Sequence, residues 1–278
     1  MDRSISHQNT ANHGTNAAQD GLLLLEDISD RGVLTLTLNR PSTLNTLSGD
    51  MLDALSAGLE AAARDHTIRV VVIRSAGRAF CAGHDLKEMR AAKDQAFYKT
   101  LFARCSAMMQ MIPTLPQPVI AQVHGIATAA GCQLVAASDL AVAANTATFA
   151  TNGITNGLFC STPSVALSRN VPRKHAFEML FTGEFIDAAR ALQIGLVNRV
   201  VPEDRLDSET QGLAETIAAK SSVTTQSGKS MFYKQLGMDL QDAYSFAADN
   251  MACDMMSSDA REGIDAFIEK RKPVWKDQ

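Results

Sequence analysis

The sequence predicts an α/β protein: a largely parallel sheet built by repeated β, β, α crossovers, followed by a helical C-terminal part. Three observations carry this prediction. Short β-branched runs at 69–73 and 119–123 alternate with helical patterns. Apart from Arg69 and Gln122 both runs are apolar, as expected of strands covered on both faces. Beyond Pro172 strand patterns nearly vanish and helical periodicity takes over.

Taken in chain order, residues 22–28 and 33–39 alternate with period two around Ser29-Asp30-Arg31-Gly32, which predicts an opening hairpin. Ser48 is placed to cap a helix with Asp50 in its first turn and Leu52, Leu55, Leu59 and Ala62 on one face. A Met- and Leu-rich helix is predicted over 98–112 and a strand over 140–144, after the small-residue segment 127–137. The C-terminal part predicts one strand at 196–201 and helices over 203–220, 223–235, 240–256 and 260–271. Residues 1–20, rich in Asn, Gln, His, Ser and Thr, predict a disordered polar tail; 21–200 form the core and 201–278 a helical oligomerisation region. No Gly-, Pro- or Ser-rich linker separates the last two, so one domain with a helical appendage is expected.

Composition excludes several function classes. A formal net charge of −4 without a dense Lys/Arg run argues against nucleic acid or an anionic membrane as the main partner. Five widely spaced cysteines with no CxxC pair suggest neither a disulfide framework nor a zinc site, so no metal is expected. No apolar run approaches the roughly 18 to 20 residues of a membrane span. The first 20 residues hold only Arg3 and no apolar centre, which predicts neither signal nor transit peptide and gives a cytoplasmic expectation.

Two segments carry chemistry. Arg78-Ala79-Phe80-Cys81-Ala82-Gly83-His84-Asp85-Leu86 and His124-Gly125-Ile126-Ala127-Thr128-Ala129-Ala130-Gly131-Cys132-Gln133 are both small-residue turns directly after a buried strand. Open α/β sheets bind ligands at such strand ends, and the second segment also opens a helix with unpaired N–H groups. Alone, each cluster more often marks close helix packing than a site. Together, two neighbouring turns can aim two N–H groups at one developing oxyanion, with side chains small enough to admit a thioester.

These segments, with Asn39-Arg40-Pro41, Leu44-Asn45-Thr46-Leu47, the stretch 125–139, and Thr182-Gly183-Glu184 followed by Ala188, Ala191, Gly195, Leu196 and Val197, resemble the enoyl-CoA hydratase/isomerase (crotonase) family. The resemblance runs from about Leu22 to the C-terminus and implies the ββα spiral fold of that family. It implies an acyl-CoA thioester as substrate, coenzyme A entering only as part of it with no other cofactor, and an oxyanion hole made by the backbone N–H groups of His84 and Ala130. It places the CoA pocket at Thr43, Leu44, Ala82, Asp85 and Leu86, with Phe267 and Lys270 as contacts offered by a neighbouring subunit. The basic run Lys270-Arg271-Lys272 suits a 3′-phosphate under that resemblance and otherwise reads as a solvated helix face. Assembly as a homotrimer or hexamer is implied, in keeping with long apolar faces that include Phe177, Met179, Phe232, Phe246, Met251, Met255 and Met256.

The sequence departs from the family pattern where a hydratase needs two carboxylates to activate water and protonate the α-carbon. At the positions that the resemblance assigns to the two glutamates stand Gln133 and Gly153. Efficient two-glutamate hydration is therefore not expected. Decarboxylation, double-bond migration and thioester cleavage all pass through an enolate or oxyanion and stay open, as does a non-catalytic acyl-CoA binder or scaffold. The polar group Thr151, Asn152, Thr155, Asn156, Cys160, Ser161 and Thr162 follows the second site. Cys160 reads either as a nucleophile or as a buried structural thiol, and the His84 ring either as a base or as a packed pocket rim. A peptide hydrolase of the related Clp-type spiral fold would need a Ser/His/Asp set on matching elements, and none is visible.

Overall fold

β1 (Leu24–Ile28) and β2 (Val33–Leu38) pair antiparallel across a tight turn in which Ser29 N–H donates to the Val33 carbonyl at 3.0 Å. Gly32 turns the chain at φ 73°, and a Cβ there would lie 2.4 Å from the Thr67 carbonyl oxygen, so only glycine fits. The computed structural model describes residues 21–278; the tail expected over 1–20 lies outside the described residues.

α1 (Gly49–Arg64) starts where the sequence places it, with the Ser48 hydroxyl accepting from Met51 N–H at 3.3 Å, and it buries Met51, Leu52, Leu55, Leu59 and Ala62. Three crossovers follow. The first runs β3 (Val70–Ser75), β4 (Ala79–Cys81), α2 (Leu86–Ala92) and α3 (Gln95–Thr114). The second is β5 (Val119–Val123), β6 (Ile126–Thr128) and α4 (Ala130–Ala137). The third is β7 (Leu140–Ala144), β8 (Thr148–Ala150), α5 (Ser161–Asn170) and α6 (Arg173–Thr182). The first strand of each crossover joins a six-stranded sheet and the second joins a four-stranded one. The chain thus winds as a ββα spiral, with β9 (Ile186–Asp187), α7 (Ala188–Gln193) and β10 (Arg199–Val201) closing the two sheets.

The large sheet has the order β1-β2-β3-β5-β7-β10 and is parallel from β2 onward. Its strands bury both faces. Leu34, Leu36, Val71, Ile73, Val119, Ala121, Ala141 and Ala143 face the main core with α1, α3 and α4. Val33, Val70, Val72, Ile120 and Val142 face a second cluster covered by α8 (Leu206–Ala218). This two-sided burial explains the continuous apolar runs of the sequence. α3 exceeds the predicted 98–112 at both ends and runs past Pro113, because a proline in the last turn forfeits one backbone bond while Leu115 N–H still reaches the Met111 carbonyl at 2.8 Å.

α9 (Ser222–Gln235), α10 (Leu240–Asp254) and α11 (Ser258–Ile268) complete the chain, close to the predicted spans. None of the described helices is long and apolar enough to cross a membrane. α9 is fastened to the core by Lys229, whose buried ammonium donates to the Ile112 carbonyl at 2.7 Å, the Gln117 carbonyl at 2.8 Å and the Asp139 carboxylate at 2.6 Å. Asp139 also accepts from Val119 N–H and the Tyr233 hydroxyl, so one carboxylate joins β5, the start of β7 and α9. Removing one partner of such a pair leaves a charge without compensation. Lys229→Met should destabilise the chain by about 3 kcal/mol in denaturant unfolding, and pairing it with Asp139→Asn should recover part of the loss. A change below about 1 kcal/mol would show that the pair does not hold α9 in place.

Candidate active site

β4, β6 and β8 are the parallel strands of the small sheet, and their carboxyl ends lie together. The segments leaving these three ends supply much of the wall of a cavity of about 310 Å³, lined by Ala82, His84, Thr128, Ala129, Ala130, Asn152 and Gly153. Leu86 and Met89 of α2, Phe102 of α3, and Leu158 to Pro163 close the other side. Ligand sites at the carboxyl ends of strands are the rule for parallel sheets.

The first two bends touch through their backbones. Gly83 stands at φ 88°, and a Cβ there would fall 2.9 Å from the Ala129 Cβ and 3.3 Å from the Ala130 nitrogen. A Cβ on Gly131 would fall 2.1 Å from the Cys81 carbonyl oxygen. Ala129 holds φ 51° and ψ −118°, a costly conformation for a residue with a Cβ, fixed by its N–H bond to the Ala150 carbonyl at 2.9 Å. That bend starts α4 with Ala130. Among the described residues, neither the His84 nor the Ala130 N–H donates to another backbone carbonyl outside the regular elements. Two neighbouring donors without acceptors of their own are suited to stabilising charge on a carbonyl oxygen.

The 82–84 bend is held from behind by the segment 44–47. Ala82 N–H donates to the Leu44 carbonyl at 3.0 Å, Leu47 N–H donates to the Gly83 carbonyl at 2.8 Å, and His84 Nδ1 lies 3.2 Å from the Leu47 carbonyl. Buried Asn45 ties this segment to the sheet by donating to the carbonyls of Ala76 and Ala79, both at 2.8 Å. The Leu47 contact places the ring proton of His84 on Nδ1, and Nε2 is buried without a partner beside the edge-on ring of Phe102. Burial pushes the His84 pKa below the usual 6.5, against the smaller opposing effects of the Leu47 carbonyl and Glu88.

Of the residues singled out in the sequence, Ala82, His84, Leu86, Ala130 and Gly153 line the cavity. Gln133 does not: it is buried on α4 with Oε1 unpartnered. Thr43 and Leu44 lie behind the 82–84 bend, and the Asp85 carboxylate caps α2 by accepting from Lys87 and Glu88 N–H. Phe267 lines a separate groove with Met251 and Trp275, and Lys270 follows α11 at φ 56°, so this chain does not bring either to its own cavity. Met179, expected on an outer apolar face, packs into the core, whereas Phe177, Phe232, Met251, Met255 and Met256 are exposed. Met89 and Phe102 were missed. They come from helices whose apolar spacing is indistinguishable from ordinary core packing.

The enoyl-CoA hydratase/isomerase family profile matches residues 29–278. The chain belongs to the enoyl-CoA hydratase/isomerase family. It is 46% identical over 244 residues to mouse enoyl-CoA hydratase domain-containing protein 3, mitochondrial, covering 88% of this chain and 81% of that protein. A crystal structure of an enoyl-CoA hydratase from Mycobacterium smegmatis superposes with a TM-score of 0.90 at 56% identity, covering 91% of this chain and 99% of that one. The human enoyl-CoA hydratase domain-containing protein 3 gives 0.89 at 46% identity, covering 91% and 100%. The fold is therefore the crotonase spiral. The cytoplasmic expectation is corrected by the same relatives, since the mouse, rat, frog and human proteins are all named mitochondrial. Composition of the first 20 residues was too weak a signal to decide a compartment.

The Gly153 position is sterically closed. A Cβ there would lie 2.4 Å from the Leu158 carbonyl oxygen and 2.8 Å from Cys160 Sγ. Burial pushes the Cys160 thiol up, partly opposed by the Gly153 N–H, so a thiolate nucleophile is disfavoured.

Two outcomes follow for this site. Gly131→Ala should cost about 3 kcal/mol, read as a lowered unfolding midpoint, because its methyl meets backbone that cannot yield; a neutral effect would show that the bends have slack. His84 stays neutral in the folded state, so just below pH 6.5 the folded chain binds fewer protons than the unfolded one. Its stabilising contribution is complete above that pH and declines as the pH falls. An NMR titration should place the ring midpoint under 6.5, and a midpoint at or above that value would refute a buried neutral imidazole.

Proposed function

We propose that the cavity holds an acyl-CoA thioester with its carbonyl oxygen between the N–H groups of His84 and Ala130, and that the chain catalyses a reaction through an enolate or oxyanion without two-carboxylate hydration. The observation that carries this reading is the close approach of the Gly83 bend to the Ala129-Ala130 bend at the cavity wall, which supports two donors meeting one oxygen there. Two such donors contribute several kcal/mol to a transition state that places charge on oxygen.

The acid/base pair of a hydratase has no counterpart here. Gln133 does not exchange protons near neutral pH, Gly153 has no side chain, and among the described residues no Asp or Glu lines the cavity. Ala82 and Leu86 at the cavity rim, with Thr43, Leu44 and Asp85 behind them, are proposed to receive the pantetheine and nucleotide. Phe267 and Lys270 are proposed to reach a neighbouring subunit's ligand. Exposed Phe232, Leu236, Leu240, Tyr244 and Met256 on the last helices, together with an α10 that buries no residue completely, support a homotrimer or a dimer of trimers.

Crotonyl-CoA hydration followed by loss of absorbance tests the reading. Each missing acid/base group is worth about 10²- to 10⁴-fold, so turnover should stay near the buffer rate. The doubly substituted Gln133→Glu, Gly153→Glu chain should not become a hydratase, because the segment 158–160 occupies the space of the second side chain. Deuterium exchange at C2 of a saturated acyl-CoA should be accelerated, as an oxyanion-stabilising site requires. Hydration at the rate of a two-glutamate enzyme would sink the reading.

A further inference from the structure

Three parallel strands end at the cavity; in the reading above, two of those ends supply main-chain donors, and the third supplies a side chain. Asn152 follows β8 by two residues as Ala130 follows β6 by two, and the pairing Thr128↔Ala150 carries both to the same end of the small sheet. The side-chain amide is oriented. Thr128 Oγ1 donates to Asn152 Oδ1 at 2.7 Å, a shorter contact than its 3.2 Å to the Ala150 carbonyl, so Nδ2 is the end left over. Among the described residues Nδ2 has no protein acceptor, and Asn152 lines the cavity.

A thioester oxygen has two lone pairs, both taken by His84 and Ala130 in the proposed reading. A third donor therefore serves a second oxygen. The wall decides the charge of that oxygen: Asn156, Ser161 and Thr162 line the cavity, but among the described residues no Lys or Arg does, and a carboxylate enclosed without a cation is strongly disfavoured. We infer that Asn152 is a specificity-determining donor for an uncharged oxygen, hydroxyl or keto, carried on the acyl chain near the thioester. This rests on the acyl-CoA reading and adds the substrate class to it: oxygenated, uncharged acyl groups in preference to plain hydrocarbon or dicarboxylic ones.

Titration calorimetry of the full chain with octanoyl-CoA, 3-hydroxyoctanoyl-CoA and succinyl-CoA tests it. The 3-hydroxy thioester should bind about 5- to 10-fold more tightly than octanoyl-CoA, the range of one neutral hydrogen bond, and succinyl-CoA should bind least. Asn152→Leu should bring the first ratio to about one. Thr128→Val, which keeps the shape of that residue and frees the amide to rotate, should lower the ratio part of the way and serves where the leucine variant does not fold. Equal binding of the two eight-carbon thioesters, or a ratio unmoved by both substitutions, overturns the role of Asn152 while leaving the acyl-CoA reading intact. Absence of binding to all three thioesters removes that reading and this inference with it.

Discussion

Backbone contact between two bends is the constraint on which the rest of the site depends. Gly83 against Ala129 and Ala130, and Gly131 against the Cys81 carbonyl, bring main chain to main chain with no room for intervening side chains. Close packing of this kind is unforgiving: a single added methyl must displace backbone on one side or the other. The bends that carry the N–H groups of His84 and Ala130 are neighbours because of it. Every surrounding feature, from the Leu44–Leu47 support to the positive φ of Ala129, holds one bend or the other at that separation.

The two sheets divide the labour. The large sheet is buried on both faces and makes most of the apolar core, with α8 closing its far side and Lys229 of α9 anchored at the amino ends of β5 and β7. The small sheet is short-stranded, and each of its three parallel strands stops at the cavity. Placing loops on a rigid, deeply buried frame keeps donor positions fixed, which is what electrostatic stabilisation of a transition state requires. The strain at Ala129 is sustained by this frame, since its N–H is bonded to β8 and its carbonyl receives Gln133 N–H from α4.

How much of this was legible in the sequence varies with the kind of signal. Val70–Ser75 and Val119–Val123 announce themselves because two-sided burial demands unbroken apolar runs. The Ser48 cap and the Gly32 turn are local chemistry and read directly. The three parallel strands of the small sheet, at three residues each, are too short for any periodicity, and β4 and β6 appear in the sequence only inside the small-residue segments. Both bends were visible as segments, while their mutual contact is a long-range relation between 83 and 130. Met89 and Phe102 belong to helix faces that pattern cannot separate from the core, and the compartment was misread from a short polar leader.

The Gly153 position shows why a missing residue is more than an absence. Here Leu158 N–H bonds to the Gly153 carbonyl at 3.0 Å, and the segment folds back until the Leu158 carbonyl and the Cys160 thiol fill the space beside Gly153 Cα. The lack of a side chain at 153 and the path of the loop therefore go together. That same path carries Leu158, Phe159 and Cys160 into the cavity wall, so the loop that excludes a side chain at 153 also shapes the cavity. Burial holds the His84 pKa down and the Cys160 thiol pKa up, so under the proposed reading the cavity acts chiefly through backbone dipoles, and a dipole array favours a reaction in which charge gathers on oxygen.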